Sequence, residues 1–171
     1  MSRAFLKKFF LTTKPQCDTI PIERAKGSKT MTIRQATEKD TIRIIRAIQN
    51  KHMDYNTPTD VREDVKNGYL FVAEENNKLL GSVAVFYKSH RGYYAITRMC
   101  VYSKKSRGKG VASALVDYVL SLGLGEYGAT PWNDNPTMCH IFEKRGFEYQ
   151  YTFKENYKFY KKTLDSRTNL W

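Results

Sequence analysis

Arg107-Gly108-Lys109-Gly110-Val111-Ala112 is the stretch on which the fold turns. Upstream, Tyr93 to Tyr102 is rich in aromatic and β-branched residues and reads as a strand. Downstream, Val111, Ala114, Leu115, Tyr118, Val119 and Leu122 recur at helical spacing, marking a helix of about 14 residues that Gly123 and Gly125 end. The stretch therefore joins a strand to a helix. Its glycines let the backbone turn sharply and come close to an anion. The first turn of the helix offers N–H groups without partners at the positive end of the helix dipole. Lys104, Lys105, Arg107 and Lys109 raise the local potential. Two readings stand on these residues alone: a diphosphate cradle, and a tight strand–helix turn that binds nothing. The spacing G-x-x-x-x-G-K-[ST] of a nucleotide-triphosphate loop is absent, and Ser113 stands where a dinucleotide fingerprint needs its third glycine.

Working outward, Met31 to Ala36 alternates like a short strand, and Thr37 with Asp40 resembles a capping box. Ile42, Ile44, Ile45 and Ile48 place a helix from Glu38 to Lys51; a shorter one follows Pro58, from Thr59 to Lys66, and stops at Gly68. Tyr69–Glu74 and Leu79–Tyr87 read as strands around an Asn76-Asn77 turn. Tyr127–Trp132 is a candidate short strand, Asn135 opens a helix that Gly146 stops, and Phe147–Phe153 and Tyr157–Thr163 close the pattern as strands. Strand–helix alternation with hairpins on either side predicts an α/β fold of the α+β mixed-sheet kind. Residues 1–30 stand apart: a basic, aromatic start followed by a stretch with Pro15, Pro21 and Gly27 that reads as loop. Lys7 and Lys8 interrupt its apolar run, so it does not read as a secretory signal. The expected organisation is an N-terminal extension over 1–30, a domain over 31–164 and a tail over 165–171.

The 171 residues suit one domain, and 41% hydrophobic with 27% charged residues is a globular composition. No apolar run reaches the roughly 20 residues of a membrane helix. Cys17, Cys100 and Cys139 are odd in number and lack CxxC spacing, and His52, His90 and His140 form no ligand pattern with them. No disulfide framework and no metal are expected, and a reducing, cytoplasmic setting is. The net charge of +12 is either a solubilising surface or a footprint for an anion: a polyphosphate cofactor, nucleic acid such as RNA, or an acidic protein.

Arg107-x-x-Gly110-x-Ala112 resembles the Gln/Arg-x-x-Gly-x-Gly/Ala motif of the GNAT superfamily of N-acetyltransferases. Asn135 followed by Ile141-Phe142-Glu143-Lys144-Arg145-Gly146-Phe147 is similar to that family's Asn…Leu-Tyr-Glu-Lys-x-Gly-Phe block. Thr32 to Asp40 resembles its first strand and helix start, and Gly81 lies where its third strand often has a glycine. The resemblance covers residues 31–164 and implies a central twisted mixed sheet flanked by about four helices. It also implies acetyl-CoA as cosubstrate: backbone groups of Met99, Cys100 and Val101 along the pantetheine arm, those of Gly108, Lys109, Gly110, Val111 and Ala112 on the pyrophosphate with Arg107 beside them, and Asn135 bonding from the next helix. The implied reaction is direct attack of an amine on the thioester, with a strand N–H near Met99–Val101 steadying the oxyanion.

Proton handling departs from the family pattern. Phe142 occupies the place of the tyrosine that donates a proton to the leaving thiolate. His140, about 200° round the helix, faces away; Met138 and Cys139 share the Phe142 side. Tyr102, Tyr149 and Tyr151 remain as donors on strands. Strand residues Ile96-Thr97-Arg98 lack the glutamate that many relatives use as base, leaving Glu74, Glu75, Asp54 and His52 as outside candidates. The loops expected to meet the acceptor are 52–68, 88–92 and 146–157. Three functions stay open: an active acetyltransferase, a catalytically weakened CoA-binding relative, and a nucleic-acid-associated module. A homodimer is also left open.

Overall fold

The computed structural model describes residues 20–22, 31–49 and 58–164. The strands are β1 (Ile20–Ile22), β2 (Met31–Gln35), β3 (Leu70–Glu75), β4 (Lys78–Lys88), β5 (Tyr93–Val101), β6 (Glu126–Ala129), β7 (Glu148–Phe153) and β8 (Tyr157–Thr163). The helices among the described residues are α1 (Glu38–Gln49), α2 (Pro58–Lys66), α3 (Val111–Ser121) and α4 (Pro136–Glu143). The sheet order is β1-β2-β3-β4-β5-β6-β8-β7. β5 and β6 run parallel, whereas β1–β2, β2–β3, β3–β4, β6–β8 and β7–β8 are antiparallel, so the sheet is mixed as expected.

The described residues form two compact units, one of those up to Ala84 with Arg98–Leu115 and one of Val85–Thr97 with those from Val116 to Leu164. In the first, Ile44 and Ile48 of α1 and Val61 and Val65 of α2 bury against Leu70 and Val72 of β3. Ile42, read from spacing as part of this stripe, is 60% exposed instead. One half of the capping box forms: Thr37 N–H and Oγ1–H both donate to Asp40 Oδ2 at 2.9 Å, while Asp40 N–H bonds the Thr37 carbonyl, also at 2.9 Å. Arg34 of β2 then ties Asp40 (2.7 Å) to Glu74 of β3 (2.8 Å), so one buried network fixes where α1 starts over the sheet. Asn76 and Asn77 take φ of 49° and 58°, the left-handed pair that a two-residue hairpin needs. The loop expected around Pro21 contains β1, which pairs Pro21 with Thr32 at the end of the sheet order; an edge strand tolerates a proline that cannot donate. Otherwise residues 1–30, with Cys17, lie outside the described residues, as do His52, Asp54 and 165–171.

In the second unit Tyr127 is fully buried, and its hydroxyl donates to Val119 O (3.0 Å) and accepts from Leu124 N–H (2.9 Å), closing the end of α3. Gly128 is required by close approach: a Cβ there would sit 2.5 Å from the Tyr93 ring. β6 stops at Ala129, short of the expected Trp132, which makes only an isolated bridge to Tyr157. A bulge between Tyr149 and Tyr151 sets Tyr149 opposite Tyr160 and Tyr151 opposite Phe159, so these two tyrosines point to opposite faces.

Candidate functional site

The quoted stretch takes the form predicted for it. After β5, Tyr102 N–H donates to Leu80 O (2.8 Å), and a single 3-10 turn over Lys104–Ser106 follows, capped by Ser103 Oγ accepting from Lys105 N–H (3.1 Å). Arg107 is extended, and Gly108 and Gly110 take φ of 71° and 75°. Ala114 N–H makes the first helical bond, to Gly110 O at 2.9 Å, so the N–H groups of Val111, Ala112 and Ser113 precede any helical acceptor. A Cβ built on Gly108 or Gly110 meets nothing within 4 Å. These glycines are thus demanded by backbone conformation, and the space before the helix end is open. Lys104, Lys105, Arg107 and Lys109 are exposed around it. Open N–H groups, a dipole end and exposed cations suit a diphosphate.

Behind the loop, Val111 and Leu115 are buried against β4 and β5. Gly81 makes this packing: a Cβ there would lie 2.6 Å from Cys100 O and 3.1 Å from Val111 Cγ1. Met99 and Val101 are half-buried, and Cys100 is buried. Immediately before them Arg98 has φ 51° inside β5. A left-handed arginine costs on the order of 1–3 kcal/mol. Its guanidinium pairs with Asp64 of α2 and lies 3.5 Å from Asp60. Burial pushes the Asp64 carboxyl above the usual carboxylate range, against the pull of Arg98. Asp64 was not among the expected candidates. An aspartate between Val61 and Val65 carries no mark in sequence that it will face an arginine on a distant strand.

Glu74, an outside candidate for the base, is held by Arg34 and flanked by Arg43, which gives it a structural task; Glu75 pairs across the hairpin with Lys78. Among the candidate donors, the Tyr102 hydroxyl is buried beside that of Ser82 without a well-formed hydrogen bond, and burial raises its pKa strongly. Tyr149 and Tyr151 are exposed, their hydroxyls 3.0 Å from Thr152 Oγ1 and 3.4 Å from Arg91 Nη1. In the second unit, Asn135 caps α4 through Oδ1, which accepts Met138 N–H at 3.2 Å, with Pro136 at the first helical position. Phe142 is 3% exposed, edge-on to Phe147 (5.0 Å) and stacked on Tyr160 (6.4 Å). Cys139 is buried beside it and His140 is exposed on the far side, as the helical spacing predicts. The Tyr160 hydroxyl donates to Glu143 at 2.7 Å, and burial first, then this bond, raises its pKa. Among the described residues no cluster of histidine, cysteine or acidic side chains is arranged to hold a metal, and no helix is long and apolar enough to cross a membrane.

Residues 35–147 match the model of the acetyltransferase (GNAT) family. No curated protein matches the sequence. Among solved structures, Ard1 of Thermoplasma volcanium is 21% identical with a TM-score of 0.67, covering 78% of this chain and 97% of that one. Naa50 of Arabidopsis thaliana, in complex with the bisubstrate analogue CoA-Ac-MVNAL, is 17% identical with a TM-score of 0.65, covering 78% and 99%. A ribosomal-protein-alanine N-acetyltransferase from Brucella melitensis is 18% identical with a TM-score of 0.65, covering 77% and 99%. At these identities the likeness is one of fold.

Proposed function

Because the chain belongs to the GNAT acetyltransferase family, we propose that it is an N-acetyltransferase using acetyl-CoA and a primary amine, in a domain spanning residues 31–164. The observation that carries this reading is the loop from Arg107 to Ala112: two left-handed glycines, open space in front of them, and a helix N-terminus ringed by exposed cations. Backbone N–H groups from Gly108 to Ala112 hold the pyrophosphate, with Arg107 beside them. Met99, Cys100 and Val101 offer strand backbone to the pantetheine arm, as an added strand would meet it. Bound acetyl-CoA supplies an activated acetyl group that an amine attacks directly. The chain contributes proximity and a strand N–H aimed where negative charge develops.

Phe142 favours a second reading. The proton-donor position is a ring packed in the core, so a CoA-binding protein with weak catalysis fits the same cradle. Thermal melting with and without acetyl-CoA, followed by turnover on a panel of amines, separates the two. A raised melting temperature with turnover supports the acetyltransferase; a raised temperature without turnover on any amine supports the second reading. No shift at millimolar ligand overturns both. We place the protein in the cytoplasm on its odd number of cysteines without CxxC spacing, and expect acidic macromolecules as acceptors before polycations, given the net charge of +12.

A further inference from the structure

Among the described residues, five non-glycines have positive φ: Asn76, Asn77, Lys154, Glu155 and Arg98. The first four occupy hairpin turns, where two consecutive left-handed residues reverse the chain. Arg98 alone of the five lies inside a strand, and arginine has no intrinsic leaning to this conformation. Something other than turn chemistry must hold it there. Its side chain supplies the candidate. The side chain is only 20% exposed, and its guanidinium is gripped by Asp64, whose side chain is 9% exposed, with Asp60 at 3.5 Å. Asp60 and Asp64 are four apart, so α2 presents both carboxylates on one face. A left-handed residue within a strand re-aims the N–H and C=O groups that follow it. Those groups belong to Met99, Cys100 and Val101. From Cys100 O onward the strand is fixed again, with that carbonyl packed onto Gly81 and Tyr102 N–H bonded to Leu80 O. The segment is thus pinned at both ends, by an ion pair before it and by close packing behind it.

We propose that Arg98 is a positioning residue: its ion pair with Asp64 and Asp60 of α2 holds the left-handed turn that aims the Met99–Val101 N–H groups. This rests on the reading that the segment serves acetyl-CoA. The bland alternative is an ion pair that only stabilises the fold. The two differ at Asp64→Asn, which removes the ion pair and leaves arginine at 98. Glycine takes positive φ freely and alanine does not, yet both remove the ion pair.

The test compares Arg98→Ala, Arg98→Gly, Arg98→Lys and Asp64→Asn in the full chain. The first readout is amide chemical shift and hydrogen exchange at Met99–Val101 in ligand-free protein, which needs no activity. Expected is a disturbed segment in Arg98→Ala and Asp64→Asn and a near-native one in Arg98→Gly. The second readout is kcat against KM for acetyl-CoA, with an amine that the wild type accepts. Arg98→Ala should lose about tenfold in kcat, equivalent to 1.4 kcal/mol, with KM changed less than about twofold, and Arg98→Gly should recover most of it. Arg98→Lys keeps the charge without the fork, and should fold and fall between wild type and alanine. An undisturbed segment in Asp64→Asn, or Arg98→Gly as disturbed as Arg98→Ala, would overturn the proposal. A wild type that neither binds nor turns over acetyl-CoA overturns the functional reading instead, and the amide readout still decides this one.

Discussion

A methyl group at Gly81 would press on a carbonyl oxygen, Cys100 O, at 2.6 Å, and backbone cannot swing away as a side chain can. Gly81→Ala should therefore push β4 off β5 and cost about 1–3 kcal/mol, read from urea unfolding. Because the same carbonyl belongs to the segment we propose meets pantetheine, the variant should also bind acetyl-CoA more weakly than its stability loss accounts for. Phe142 raises the opposite question, of a group missing rather than a space filled. Its ring is packed between Phe147 and Tyr160. Phe142→Tyr should raise turnover severalfold if the departing thiolate lacks a proton donor. Unchanged turnover would mean that a thiol with pKa of about 8.5 leaves unaided. The substitution was legible in the sequence, because the motif around it is intact. The packing that makes it a core residue was not, because Tyr160 arrives from a strand 18 positions later, 142 to 160.

At the scale of elements, the start of α1 depends on one carboxylate. Arg34 holds the Asp40 carboxyl below its ordinary 3.8, at about 2, against the opposing effect of burial and with help from Thr37. A depressed folded-state pKa means stability that is present above the unfolded value and lost as pH falls toward the folded one. Urea unfolding should accordingly show about 1–2 kcal/mol disappearing between about pH 4 and pH 2, and Asp40→Asn should flatten that slope. The capping pattern Thr37-x-x-Asp40 was visible in sequence, whereas its anchoring by Arg34 and Glu74 required the β2–β3 pairing. The same limit governs the rest. Periodicity located α1, α3 and α4 to within a few residues, and Asn76-Asn77 named its own turn. It placed Ile42 in the core, because the exposed edge of an apolar stripe looks like its centre. It had no means of finding the Tyr149–Tyr151 bulge or the Asp64–Arg98 pair, which exist only across strands and helices. Asn135 caps α4 through its side-chain oxygen. Asn135→Ala removes the cap and should cost about 1 kcal/mol without ligand. Asn135→Asp keeps a capping oxygen, so its melting temperature should hold; a weaker affinity for acetyl-CoA in that variant would then assign Asn135 to the cofactor as well.

The whole molecule carries a net charge of +12, and the exposed cations beside the glycine loop concentrate part of it where a diphosphate would arrive. Two contributions to binding then differ in their response to salt. Backbone N–H groups act at contact and are screened little; exposed lysines and arginines act through solvent, where the Debye length shortens from about 10 Å at 0.1 M to about 3 Å at 1 M. Titration of acetyl-CoA should give a Kd that rises roughly tenfold, or 1.4 kcal/mol, between 0.05 and 0.5 M salt. Changing Lys104, Lys105, Arg107 and Lys109 together to glutamine should weaken binding at low salt and remove most of that dependence, while leaving the melting temperature of the free protein nearly unchanged, since all four are exposed. A salt-independent Kd in the wild type would assign the affinity to the backbone alone. The same field bears on the acceptor. A polycation such as spermine approaches against it and an acidic macromolecule with it, so raising salt should improve kcat/KM for the first and impair it for the second.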